Sequence, residues 1–387
     1  MSSDSISVEA ATRKRYAEAA ATVQPELCCA SGGYDSRYLE AIPKSVLDVD
    51  YGCGDPSKWL GPGETVLDLG SGSGKICFIA AQIVGVEGRV IGVDFNPPML
   101  ELARNATADF VRRIGYDNVE FRNGRIQDLA LDLDALGAWL GQHPVTTPED
   151  YLEMDEQADR LRRTQPLIAD DAVDVVISNC VLNLVQADQK ERLFSEIFRV
   201  LRRGGRCVVS DIVSDEPVPA AMQADSELWS GCISGALTEA DFIRAFERAG
   251  FYGIELVERS REPWQVVQGI EFRSVTVRAF KGKEGPCLER NQAVIYRGPF
   301  SAVTDDDGHT LHRGERMAVC DKTFGILTSP PYAESFHAVS PRVEVPRDRA
   351  QPFECSEGAL RAPDQTKGRD DRETTEPSES CSEGSCC

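Results

Sequence analysis

Residues 64–75 read ETVLDLGSGSGK, an apolar run that ends in three glycines, Gly70, Gly72 and Gly74, set two residues apart. Few folds accept that pattern. So short a run before a glycine cluster is a buried strand entering a tight turn, where missing Cβ atoms let backbone approach a ligand or a neighbouring element. The next residues, ICFIAAQIVG, are apolar and of helical length, and RVIGVDF returns as a second buried strand. PPMLELARNATADFVRRIG predicts a helix with prolines in its first turn. NVEFRNGRI and VDVVISN (173–179) follow as strands, then QKERLFSEIFRVLRRGG as a helix closed by glycines that feeds the strand RCVVSDI. Strands alternating with helices at this spacing predict an α/β fold with a doubly wound, mostly parallel, Rossmann-like sheet over residues 61–237.

Around that domain the pattern is less regular. Residues 1–60 predict a helical cap: a helix over 7–24, a loop with Cys28 and Cys29, a further helical stretch within 35–48, and the turn YGCGDP at 51–56. A polar insertion at about 129–170 predicts two helices, since a structureless loop of that length is uncommon inside a compact domain. TEADFIRAFERAGF, capped by Thr238, and the strand-like IELVERS and SVTVRAF predict a small α+β substrate domain over 238–284. Residues 285–345, with AVIYRG and RMAVC, predict a small β-rich C-terminal module. The polar stretch 346–387 lacks periodicity and reads as a disordered tail, yet it carries Cys355, Cys381, Cys386 and Cys387.

Charge and cysteine usage narrow the function. A formal net charge of −21 argues against a nucleic-acid partner, whose binding rests on phosphate neutralisation by Lys and Arg. The longest apolar stretch, 76–86, is too short to span a bilayer, and the polar N-terminus has no signal-peptide core. A cytoplasmic protein without a membrane partner is therefore expected, and a monomer, since no association surface is legible. Thirteen cysteines stand beside four histidines with no CxxC pair, which argues against a zinc finger or ribbon. In a reducing compartment, so many cysteines point to metal binding, catalysis or redox chemistry, with some serving as small buried hydrophobes.

Asp68 precedes the glycine turn, and Asp94 ends the second strand 26 residues later. The turn is spaced GxGxG, whereas a dinucleotide site reads GxGxxG with a pyrophosphate at the helix N-terminus. A carboxylate at Asp68 would repel a pyrophosphate and attract an ammonium or sulfonium. Asp94 suits a carboxylate that accepts both hydroxyls of a ribose. Together these features resemble the S-adenosylmethionine fold of class I methyltransferases. That resemblance implies S-adenosylmethionine as cofactor, held by Asp68, Gly70, Ser71, Gly72, Gly74, Asp94, Asn96, Ile126 and Asn179.

Four cysteines stand in distinctive contexts: Cys29 near a glycine pair, Cys53 in YGCG, Cys180 in ISNCVLNL and Cys232 in WSGCISGA. Cys180 follows the fourth strand, and ligands of open α/β sheets bind beyond the carboxyl ends of strands. In order and context, YGCG, VLDLGSGSG, SNCVLNLV and GCISGAL (231–237) resemble the arsenite methyltransferase family, over about residues 29–340. The resemblance implies that Cys180 and Cys232 hold trivalent arsenic, with Cys53 as a third thiolate or as a disulfide partner. It makes 238–284 an arsenic-binding domain. Cys29, or the adjacent Cys28, matches the family's first cysteine. The insertion at 129–170 is longer than in many members. Cys77, Cys207, Cys287 and Cys320 match no functional position and read as packing.

The chemistry agrees with that assignment. Soft thiolates select thiophilic centres, and arsenic bound by thiolates keeps an outward lone pair. In-line transfer of a sulfonium methyl to that lone pair needs no general base, and orientation alone supplies up to roughly 7–11 kcal/mol. His143, His309, His312 and His337 fall in loop-like stretches and are read as non-catalytic. Arsenite and then methylarsenite are the expected substrates. Each methylation formally oxidises arsenic, so thioredoxin or glutathione is expected to return electrons through Cys29 or Cys53. The tail cysteines either capture arsenite or are incidental. Two other readings stand beside this one: a methyltransferase for a small organic nucleophile, which would keep Asp68 and Asp94 without needing Cys180, and a metalloid-sequestering protein that does not bind the cofactor.

Overall fold

The computed structural model describes residues 8–21, 33–49, 51–355 and 358–368. The chain divides into two compact units, Met1–Gly282 and Lys283–Cys387. The first opens with α1 (Val8–Ala21), α2 (Ser36–Leu39) and α3 (Lys44–Leu47). It continues through β1 (Thr65–Leu69), α4 (Lys75–Val84), β2 (Arg89–Asp94), α5 (Pro97–Ile114) and β3 (Val119–Asn123). The insertion at 129–170 carries α6 (Leu133–Leu140) and α7 (Pro148–Thr164), the latter opened by a Thr147–Asp150 capping box. Then come β4 (Val173–Asn179), α8 (Lys190–Val200), β5 (Leu201–Ser214), α9 (Ala220–Gln223) and α10 (Ser226–Ser230). The unit closes with α11 (Glu239–Arg248), β6 (Tyr252–Arg259), β7 (Gln265–Val267) and β8 (Ile270–Phe280).

The sheet runs β3-β2-β1-β4-β5-β8-β6, with β7 paired to β8. β1 to β5 pair in parallel and β8 joins β5 antiparallel. Both faces are covered, which explains why the strands read as nearly continuous apolar runs. Val66, Val90, Val175 and Val208 face α4 and α5, where Phe78 meets Phe110 with ring centroids 4.5 Å apart. Leu67, Ile91, Val176 and Val209 face the opposite layer, where Phe194 of α8 meets Phe246 of α11 at 4.8 Å. Truncating one of these buried rings to alanine costs about 3–5 kcal/mol. The chain order reverses between β1 and β4, and in a doubly wound sheet that switch point opens the ligand crevice.

Three sequence expectations change. Residues 238–284 do not stand apart: Phe272–Phe280 of β8 pairs residue by residue with Arg206–Ser214 of β5, so this segment extends the sheet. A strand's own periodicity is the same whether it joins an old sheet or starts a new one. Residues 1–60 also belong to this unit, because Ile42 and Val46 are buried in the layer around α4. The helix over 189–205 is shorter than its composition suggests. α8 ends at Val200, and Leu201 already pairs with Val173, so Gly204 and Gly205 lie within β5.

The second unit contains β9 (Leu288–Glu289), β10 (Ala293–Tyr296), β11 (Ala302–Thr304), β12 (Thr310–His312) and β13 (Arg316–Ala318). It ends with α12 (Asp321–Leu327), β14 (Phe336–Val339), β15 (Gln351–Pro352) and α13 (Pro363–Lys367). β13-β10-β14 form a small antiparallel sheet over a core of Val294, Tyr296, Leu311, Met317 and Phe336. The expected disorder from residue 346 is corrected as far as residue 368. β15 pairs with β9, and the buried Arg361 guanidinium binds the Glu289 carboxylate at 2.8 Å. Composition cannot report a long-range pair of that kind. Cys28, Cys29, Cys381, Cys386 and Cys387 lie outside the described residues. Among the described residues, no helix is long and apolar enough to cross a membrane.

Candidate functional site

A cavity of about 370 Å³ opens at the carboxyl ends of β1, β2 and β4 and is covered by Glu9, Thr12 and Tyr16 of α1. Its floor is the glycine turn. Gly70, Gly72 and Gly74 adopt φ of 69°, 51° and 90°, a region in which L side chains are strained. A Cβ on Gly70 would overlap the Val181 side chain, so this glycine is needed both for its dihedral and for close approach.

Asp68 is buried at the end of β1, and burial pushes its pKa up to about 7, with Asp94 adding repulsion. The Cys77 thiol donates to Asp68 Oδ2 at 3.2 Å, opposing that rise. Cys77, expected as packing, therefore also orients the carboxylate. Burial likewise raises the Asp94 pKa, against hydrogen bonds from the backbone of Asn96 (2.8 Å) and Gly72 (2.9 Å). Each Asp94 oxygen keeps capacity to accept from a ligand hydroxyl. Ile126 contributes an apolar wall. The Ser71 hydroxyl, the Asn96 side-chain oxygen and the Thr12 hydroxyl are buried, have no hydrogen-bond partner among the described residues, and belong to cavity-lining residues. Unsatisfied buried polar groups are costly. Two carboxylates, a backbone cradle and three orphaned polar atoms fit a cationic, ribose-bearing ligand such as S-adenosylmethionine.

Asn179 lines the same cavity, but its amide is engaged elsewhere. Its Oδ1 accepts from the backbone of Cys53 and Gly54 at 2.9 and 3.1 Å. Its Nδ2 donates to Gly54 O at 2.8 Å and to the Tyr34 hydroxyl at 3.2 Å. All four positions of the amide are filled, so the Asn179 side chain positions the YGCG loop while the residue also lines the cavity. Gly52 and Gly54 allow that docking: a Cβ on either would overlap Asn179 or Ser210. Ser274 of β8 donates to Cys53 O at 2.6 Å and fastens the loop from the far side.

This loop brings Cys53 to Cys180. The two form a disulfide across 127 residues of sequence, with Cα atoms 5.7 Å apart. Cys180 is part of the cavity wall, and the Cys232 thiol donates to its carbonyl at 3.4 Å. Cys53, Cys180 and Cys232 thus gather at one end of the cavity, all buried. Cys180 and Cys232 both hold left-handed backbone, at φ 61° and 62°. For a residue with a Cβ such a conformation costs on the order of 1–3 kcal/mol and persists where function or packing demands it.

Three residues around the thiols were not legible as functional. Tyr16 is half-buried, and desolvation followed by the neighbouring Cys232 raises its pKa well above the ordinary phenol value. Nothing in YAEAAA marks such a role. Asp211 and Lys190 lie beneath the Cys180 turn. Burial pushes Asp211 up to about 6 and Lys190 down to about 8, each opposed by the other's charge. Asp211 accepts from Leu182 N at 2.8 Å, and the Lys190 ammonium donates to Leu182 O at 2.7 Å, so together they hold the turn after Cys180. An acid inside the buried run RCVVSDI was the available signal.

Comparison with known proteins agrees with this geometry. A family model described as a methyltransferase domain matches residues 60–136 and 155–250, leaving a gap that runs from within α6 to within α7. Residues 283–371 match a family described only as a domain of unknown function. An arsenite methyltransferase of Aquipseudomonas alcaligenes is 34% identical over 316 residues, covering 78% of this chain and 80% of that protein. One from Halobacterium salinarum is 38% identical over 59% of this chain, which there spans about half of the relative's length (47%). The solved arsenic(III) S-adenosylmethionine methyltransferase of Chlamydomonas reinhardtii is 28% identical, with a TM-score of 0.52 over 82% of this chain and 98% of that one. On this similarity the chain belongs to the arsenite methyltransferase family.

Proposed function

We propose that this protein methylates trivalent arsenic, with arsenite and then methylarsenite as substrates, held on the thiolates of Cys180 and Cys232. The observation that carries the reading is the position of Cys180. It stands in the wall of the cavity that Asp68 and Asp94 floor, with Cys232 on its carbonyl and Cys53 bonded to its sulfur. S-adenosylmethionine, when bound, supplies an electrophilic methyl group to the arsenic lone pair. Asp68 and Asp94 draw the positive ligand in, while the Ser71 hydroxyl and the Asn96 side-chain oxygen offer hydrogen bonds to its polar groups and the glycine turn lets it approach the backbone. Tyr16, half-buried beside Cys232, covers the site and limits water at the thiolates.

Methylation takes arsenic from the trivalent to the pentavalent state. Two electrons are needed for its return, and the thiolates of Cys53 and Cys180 can supply them by becoming a disulfide. The disulfide of this structure corresponds to that spent form, which thioredoxin or glutathione would reduce before the next cycle. Cys29 or Cys28 would relay in the same exchange. A reducing cytoplasm and a monomeric enzyme complete the proposal.

The test is arsenite methylation by purified protein with S-adenosylmethionine and excess thiol, products separated by speciation chromatography. Methylated arsenic from the native chain and none from Cys180→Ser is the expected result. Equal yields from both would remove Cys180 from the chemistry.

A further inference from the structure

Three thiols of the second unit, far apart in sequence, come together. The sulfurs of Cys287, Cys320 and Cys355 all lie within 4.8 Å of one another, and none is in a disulfide. This corrects the expectation that Cys287 and Cys320 serve only as packing. The backbone brings them into place. β9 pairs with β15, and Phe353 N donates to Cys287 O at 2.9 Å, which sets the residues flanking these strands side by side. Cys320 precedes α12, where its sulfur accepts from Thr323 N at 3.4 Å. Arg290, just after β9, binds Asp321 at 2.6 Å and ties the start of that helix to the same strand.

Burial and charge suit a soft ligand. Cys320 is buried, whereas Cys287 and Cys355 are half-buried and reachable. Burial opposes ionisation of Cys287, but hydrogen bonds from Cys355 and Cys320 and the Lys322 ammonium outweigh it and lower its pKa. Burial, then the neighbouring Cys287, raises the Cys355 pKa. Three sulfurs at one place, two of them reachable, make a donor set for a thiophilic centre rather than three inert hydrophobes.

The number of donors selects the centre. A structural zinc site takes four ligands, and among the described residues no fourth His, Cys, Asp or Glu joins these three. Trivalent arsenic takes three sulfurs, keeps a lone pair at the fourth corner, and forms a neutral complex with three thiolates. Three bonds from sulfur to one centre would hold together the sulfurs that already lie within 4.8 Å of one another.

We propose that Cys287, Cys320 and Cys355 form an arsenic(III)-binding site of the C-terminal unit, independent of the thiols at Cys180. Arsenous acid gives up three As–O bonds and gains three As–S bonds. The three thiol protons leave with its hydroxyls as water, and arsenic stays trivalent.

The experiment uses the reduced full-length chain with Cys180→Ser and Cys232→Ser, so that arsenic bound at the substrate site does not obscure the result. Arsenite, added in competition with glutathione, is expected to protect Cys287, Cys320 and Cys355 together from alkylation, as mapped by mass spectrometry. Adding Cys355→Ser, or separately Cys287→Ser, is expected to lower bound arsenic by one equivalent per chain. Alkylation of all three at unchanged rates would overturn the proposal, as would protection by zinc(II) but not by arsenite. The protection measurement stands even if a serine variant misfolds. Methylation by the native chain is read separately, so loss of this site and loss of the catalytic assignment remain distinguishable.

Discussion

One end of the cavity turns on glycines and the other on cysteines, and both turns use left-handed backbone. Gly70, Gly72 and Gly74 reach φ of 51° to 90° without a Cβ to strain, while their amides donate to Val93 O, Asp94 Oδ2 and Ser71 O and hold the turn in shape. Cys180 and Cys232 reach 61° and 62° with their side chains in place. The first turn uses the backbone as its contact surface, so the cheapest residue suffices. The second places sulfur at a fixed position, and the chain holds the strained backbone there with Asp211, Lys190 and Asn183. The two ends also touch, since the Val181 side chain fills the space that a Cβ on Gly70 would claim.

The largest effect should separate the two ends outright. Cys180→Ser is expected to bring arsenite methylation below detection while S-adenosylmethionine affinity, measured by calorimetry, stays within about two-fold. Loss of cofactor binding in the same variant would mean the two ends are one structural unit. The reciprocal change, Gly70→Ala, combines a strained φ with the Val181 overlap. It should weaken cofactor binding by ten-fold or more, equal to about 1.4 kcal/mol or greater, and leave arsenite protection of Cys232 from alkylation intact.

Asp68 gives a pH signature to the glycine end alone. A cationic ligand prefers the ionised carboxylate, and the free site holds that proton up to a pH of about 7. Affinity should therefore fall as pH drops below about 7, by up to about ten-fold per unit, and level off above it. Asp68→Asn should remove the slope. A flat profile in the native chain would show that Asp68 is already ionised. The smallest effect concerns strain. At position 232, glycine should be more stable than alanine by about 1 kcal/mol in chemical denaturation, the reverse of the order in ordinary helices and strands. Equal stabilities would mean that Cys232 sits without strain.

Much of the first unit was legible because its signals are local. The strand–glycine–helix pattern, the proline-led α5 and the apolar runs of β1, β2 and β4 each report their own environment. Asp68, Asp94 and the glycines could be named from spacing because they belong to a single βαβ unit. Asn179 was named through the methyltransferase resemblance, and only the fold shows that its amide also holds the YGCG loop. Tyr16 gave no signal at all, since a half-buried aromatic on a helix looks the same whether it faces core or thiol.

The sequence by itself determined the doubly wound sheet, the carboxylate-and-glycine floor and the special contexts of Cys53, Cys180 and Cys232, because periodicity, turn chemistry and short motifs are written within a few residues. Only the tertiary structure decided the pairing of β8 with β5, the meeting of Cys53 with Cys180 and the gathering of Cys287, Cys320 and Cys355. These depend on which distant strands pair. Strand partners are chosen by the burial of whole faces and the covering of sheet edges, a sum over many residues that no local pattern carries.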